Sequence, residues 1–159
     1  MQLCDKITKY LGYFTALILV MLVLLVVYDA TVRYMFSSGS IALQELEWHL
    51  FDVIILFGIS YTLKHSAHVR VDIFYSNYSQ KTKDLVNIIS SVFFILPFSL
   101  LIIYISIDFV LLSYEQHEVS SNPGGLEYRF LVKSLLPLSF IFLILQTISH
   151  IKLDWKSRK

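Results

Sequence analysis

Lys64-His65-Ser66-Ala67-His68-Val69-Arg70-Val71-Asp72, running on to Lys81-Thr82-Lys83-Asp84, is the longest hydrophilic interruption in this chain. It collects four of the thirteen basic residues and two of the five histidines. On either side the sequence turns apolar for lengths that soluble folds do not use. Upstream, Tyr10 to Tyr28 holds 19 residues without a charge; downstream, Leu85 to Ile107 holds 23. At 1.5 Å of rise per residue, either run crosses the roughly 30 Å hydrocarbon layer of a bilayer. The polar stretch therefore reads as a surface loop between membrane helices.

Two further spans follow from the same arithmetic. Ser134 to Ser149 holds 16 uncharged residues and reaches crossing length by drawing in residues back to Phe130. The remaining span is less clean. Val53 to Leu63 is only 11 residues, so its first turns must include Glu45 to Asp52 with their polar groups. The expected architecture is an all-α integral membrane protein with four transmembrane helices in a single domain over 1–159. The spans are placed at about 10–30, 45–63, 85–112 and 130–151, with connections at 31–44, 64–84 and 113–129.

Composition agrees. Of the 159 residues, 56% are hydrophobic and only 16% charged, and the mean hydropathy is +0.65. A net charge of +1 with no separate basic face excludes a nucleic-acid partner. A single cysteine, Cys4, excludes an intramolecular disulfide and a cysteine-based metal cluster. The first run is too long for a signal-peptide core and lacks a small-residue cleavage site, so it reads as a retained helix.

Lysine and arginine placement sets the expected orientation. Ten of the thirteen basic residues lie before the first span, between the second and third, or after the fourth. Only Arg33, Arg129 and Lys133 lie on the other side. Both termini and the polar loop are thus expected in the cytoplasm. Aromatic residues at the run ends, including Tyr28, Trp48 and Trp155, suit the membrane interface.

Charges within a span are costly and mark function by default. Here none is central. At 100° per residue, Glu45, Trp48, His49 and Asp52 share one helix face while Glu47 points away. Asp108 closes the third span, and Asp29 and Arg33 the first. Two readings stand: a cation or proton site built from Asp52 and Asp108, or a structural network in which Arg33 pairs with one of those carboxylates. Pro97, inside the third span, removes a backbone donor and should kink the helix. The loop Glu118-Val119-Ser120-Ser121-Asn122-Pro123-Gly124-Gly125-Leu126 is a chain reversal. It is either a solvated connection or a contact for a partner outside the membrane. No histidine pair suits haem, no metal-ligand set is visible, and no catalytic constellation appears, so no enzyme, cofactor or metal is expected.

The order of several short patterns resembles the small membrane subunit (DctQ type) of tripartite ATP-independent periplasmic (TRAP) transporters. They are Arg33-Tyr34-Met35-Phe36 after the first span, Gln44-Glu45-Leu46 opening the second, and His68-Val69-Arg70-Val71-Asp72 after it. The loop ending Asn122-Pro123-Gly124-Gly125-Leu126, followed by Lys133-Ser134-Leu135-Leu136-Pro137-Leu138, resembles the branch linked to mannitol or chloroaromatic compounds. The resemblance implies a multi-pass protein of the bacterial inner membrane. It implies a large elevator-type membrane partner (DctM type) and a soluble periplasmic substrate-binding protein, taking up an organic anion with sodium. Arg33, Glu45, Trp48, Asp52, His68, Arg70, Asp72, Asp108 and Glu118 are then structural or interface candidates, with Arg70 and Asp72 fixing the polar loop at the membrane surface. The competing readings are a self-sufficient four-helix transporter and an assembly subunit of another membrane complex.

Overall fold

A computed structural model describes residues 2–65 and 78–157. His68, Arg70 and Asp72 lie outside the described residues. Among the described residues there are four long helices: α1 (Gln2–Phe36), α2 (Ile41–Lys64), α3 (Gln80–Glu115) and α4 (Arg129–Ser157). All four contain stretches long and apolar enough to cross a membrane. In that setting a helix satisfies its backbone internally, which is why uninterrupted apolar runs become helices regardless of propensity. Ser40 caps α2, its side chain accepting from the Leu43 amide at 3.4 Å, and Ser79 caps α3 through the Thr82 amide at 3.3 Å.

The chain folds as two helical hairpins. In one, α1 packs on α2; in the other, α3 packs on α4. The hairpins meet where α2 lies against α4, with a lighter contact from α1 to α4. Helix α3 meets the rest of the described fold chiefly through α4. The start of α1, the end of α4 and the ends of α2 and α3 that flank the polar stretch share one end, called here the terminal end. The opposite, distal end carries the connections 37–40 and 116–128.

The interior inverts the pattern of a soluble protein. Most large apolar side chains face outward, whereas the most enclosed side chains are polar: Asp29, Ser60, Ser99, Ser139, Gln146 and Thr147. Between membrane helices there is no water to expel, so close approach and satisfied polar groups hold the bundle, and small residues line the contacts. Many of these hydroxyls donate to their own helix: Ser99 to the Ile95 carbonyl and Ser106 to Ile102, both at 2.6 Å, and Thr147 to Leu143 at 2.7 Å. A compact apolar cluster of Leu63, Phe140 and Leu143 sits where α2 and α4 cross. Phe57 meets Phe142 edge-on, and Phe98 meets Phe140 in the same way. At Gly12 the α1–α2 approach is so close that a Cβ would stand 2.2 Å from the Tyr61 ring.

The buried face of α3 has a regular spacing with one fault. Asp84, Ser91, Ser99, Ser106 and Ser113 are all buried, and their intervals are seven, eight, seven and seven residues. The eight-residue step contains a π-helical turn, Ser91–Ile95, closed by the Leu96 amide donating to the Ser91 carbonyl. A π turn accommodates one extra residue, so the stripe keeps its face on α4. It also lies one residue short of Pro97, whose missing donor interrupts the helical ladder. The expected kink site is thus a widened turn.

Candidate functional site

The distal end gathers the largest share of the sequence-derived candidates. Its centre is Glu45, one turn into α2. The carboxylate holds the connection between α3 and α4 by three hydrogen bonds. One oxygen accepts from the Ser120 hydroxyl and, at 3.3 Å, from the Asn122 side-chain amide; the other accepts from the Leu126 backbone amide at 2.7 Å. The connection is itself folded. Asn122-Pro123-Gly124-Gly125 forms a type II turn, with the Gly125 amide donating to Asn122 at 3.0 Å. Gly124 has a φ of +81°, and glycine adopts that region without strain. The Ser120 amide donates to Leu126 at 3.1 Å across the turn, and the Arg129 amide to Glu118 at 3.2 Å.

Gly125 is required for a different reason. A Cβ there would stand 2.4 Å from the Ser120 hydroxyl and 2.7 Å from Glu45. The loop therefore approaches α2 at a point where only hydrogen fits.

At the loop's base, Glu118 pairs with Lys133, one turn into α4. Lys133 also lies 4.0 Å over the Phe109 ring, a cation–π contact that ties α3 to α4. The hydrogen bond from Lys133 holds the Glu118 carboxyl below its ordinary range, outweighing the opposing effect of desolvation.

Beneath the loop two adjoining clefts open between α2 and α4. The upper, about 250 Å³, is lined by Gln44, Glu45, Trp48, His49, Asn122 and Arg129, among others. The lower, about 380 Å³, is lined by His49, Asp52, Arg129, Lys133 and Phe109 over an apolar floor of Ile55, Leu56 and Leu136. Glu45 and Trp48 thus line the upper cleft, Asp52 the lower and His49 both, so the face shared on the helical wheel borders two adjoining clefts.

Arg33 departs from expectation. It pairs with Asp29 of its own helix rather than with Asp52 or Asp108. An i, i+4 partner is already in place when α1 forms and needs no interhelical register. Asp29 is 1% exposed, and Glu47 of α2 lies in the electrostatic field of both. Glu47, on the opposite face of α2 from Glu45, thus looks toward α1.

Asp108 is exposed and makes no hydrogen bond or ion pair among the described residues, whereas Asp52 lines the lower cleft. The structure does not gather the two onto that cleft. Among the described residues no group of three or more histidine, cysteine, aspartate or glutamate side chains converges to hold a metal ion.

A second polar cluster, missed in the sequence, fastens the terminal end. Thr8 of α1 donates to Gln146 of α4 at 2.7 Å, fully buried. Ser149 donates to the Asp5 carboxylate at 3.2 Å, and Lys64 donates to the Asp5 carbonyl. The readable signal was a polar residue, Gln146, inside an otherwise apolar run.

The chemistry on offer at the distal end is positional. Two carboxylates and a lysine fix a loop and two helices. The family model for the DctQ component of tripartite ATP-independent periplasmic transporters matches residues 22–157, most of the chain. A Haemophilus influenzae protein named as a TRAP transporter small permease protein is 25% identical over 145 residues, covering 91% of this chain and 87% of its own length.

Proposed function

This chain belongs to the DctQ family of tripartite ATP-independent periplasmic transporters, and from that premise we propose that it is the small permease subunit of a sodium-driven, binding-protein-dependent importer of an organic anion. The reading places it in the bacterial inner membrane with both termini cytoplasmic, so that the distal end faces the periplasm. The lysines of the terminal end, among them Lys6, Lys9, Lys81, Lys83, Lys152 and Lys156, favour that orientation. The carrying observation is the match of the family model over residues 22–157, which takes in all of the distal-end clasp.

In this role the chain braces the fixed part of a large elevator-type subunit and contributes to the surface where the soluble binding protein docks. Two features support a brace rather than a carrier. Tyr10 to Tyr28 in α1 and Leu85 to Ile107 in α3 carry no charge, whereas secondary transporters bind their coupling ions near mid-span. And the outward faces of α1 and α3 expose long rows of apolar side chains, enough for both lipid and a large partner.

The test is reconstitution. The chain, the large subunit and the binding protein together, under an inward sodium gradient, should accumulate substrate in proteoliposomes, and each two-component mixture should not. Uptake by this chain alone would overturn the proposal. So would failure to co-purify with the large subunit after co-expression.

A further inference from the structure

The loop between α3 and α4 is more ordered than a connection requires. A solvated link of this length needs only to reverse the chain, yet this one has a type II turn, two backbone bonds between its limbs, and a carboxylate from another helix bonded to three of its residues. The order is also expensive to place: Gly125 must be glycine so that Ser120 and Glu45 can close on it. Beyond the helix ends the loop presents apolar side chains to solvent, Val119 at 57% and Tyr128 at 63% exposure, with Tyr114 beside them at 55%. Exposed carboxylates flank them at Glu115 and Glu127, neither ion-paired among the described residues. Apolar groups held rigidly in water beside free charges have the make-up of a protein contact: a small apolar centre with a charged rim.

We propose that Glu45 is the positioning residue of a preformed docking element, loop 118–128, by which the transporter receives its soluble binding protein. This rests on the proposed function, and it says which segment meets the soluble partner and what holds it ready. The Glu45 carboxylate does not touch the partner. Its three acceptor contacts fix the backbone from Ser120 to Leu126, so Val119 and Tyr128 are displayed in one arrangement before the partner arrives. A loop ordered in advance spares association the entropy of ordering it on contact. The matching face on the partner is an apolar patch edged by lysine or arginine, complementary to Val119 and Tyr128 with Glu115 and Glu127 at the rim.

The experiment uses the complex of both membrane subunits in proteoliposomes, with uptake measured against the concentration of the purified binding protein, and the same complex in nanodiscs for direct binding. Glu45→Ala should raise the half-saturating concentration of binding protein by roughly tenfold or more while the rate at saturation stays within about twofold. Glu45→Gln, which keeps one acceptor oxygen, should fall between. Val119→Asp alters the displayed face and leaves every clasp atom in place, and it should weaken docking as much as Glu45→Ala. Should Glu45→Ala fail to assemble, Val119→Asp decides the matter. Unchanged half-saturation in Val119→Asp, or in an assembled Glu45→Ala complex, overturns the proposal. A Glu45→Ala complex that loses only its maximal rate also overturns it, because Glu45 would then act on the transport cycle. A wild-type complex that binds no soluble partner strikes instead at the proposed function itself.

Discussion

The two ends of the molecule are fastened by different chemistry. At the distal end a charged carboxylate, Glu45, grips a loop through an amide, a hydroxyl and a side-chain amide, at the edge of the apolar spans. At the terminal end the most buried bond is neutral, Thr8 to Gln146 within the helix bundle, and the charged groups Asp5 and Lys64 join it only at the part-buried margin. The difference follows from the surroundings. A charge is tolerable where water is within reach, and a neutral pair is the cheaper tie where it is not. The distal clasp thus orders a displayed loop, and the terminal one sets the spacing of helices.

This contrast can be broken at several points. The largest effect belongs to Glu45→Ala, which strips three donors of their acceptor at once. Hydrogen exchange at the Leu126 amide should accelerate by at least about tenfold, with the terminal-end amides unchanged. Equal acceleration at both ends would mean that the bundle answers as one unit. Next comes Gly125→Ala, which overfills the contact with Ser120 and should cost about 1–3 kcal/mol, read as a lower midpoint of unfolding in detergent. Gln146→Leu follows, at about 0.6–1.7 kcal/mol, the range of hydrogen bonds between membrane helices, and should leave loop exchange untouched.

A pH titration sharpens the distal side further. The folded-state pKa of Glu118 is depressed by the hydrogen bond from Lys133. Its contribution to loop order is therefore fully present above the ordinary glutamate range and is lost as pH falls through the depressed value. The Arg129 amide donates to the backbone carbonyl of Glu118, so loss of the Lys133–Glu118 pair should loosen it indirectly. Its protection should hold at neutral pH and fall only below that range, and in Glu118→Gln that acid-dependent step should vanish. The smallest effect is expected from Ser106→Ala. Its hydroxyl serves only its own helix, and the change should stay within about 0.5 kcal/mol.

What the sequence could convey divides along the same line. Four helices were readable because uninterrupted apolar length has one structural solution in a bilayer. The shared face of Glu45, Trp48, His49 and Asp52 was readable because it depends only on the helical repeat. The partners of Glu45 were not, since they lie 75 to 81 residues away, on the connection of the other hairpin. Arg33 shows the reverse case: a distant carboxylate was expected, and the neighbour four residues back, Asp29, takes the bond. The Thr8–Gln146 pair was visible only as an oddity, because its separation of 138 residues hides the register.

The stripe on α3 has one more implication. Counted as a repeat, Asp84 to Ser113 is a seven-residue rhythm with one supernumerary beat between Ser91 and Ser99. The π turn at Ser91–Ile95 takes up that beat locally, so the phase is the same on either side. Removing one residue there, Val92 for instance, would leave an unbroken cadence of sevens and an ordinary α-helical turn. The two forms would present the same serines to α4. They would differ in helix length by a single residue's rise, and so in how high the far end of α3 stands above the bilayer.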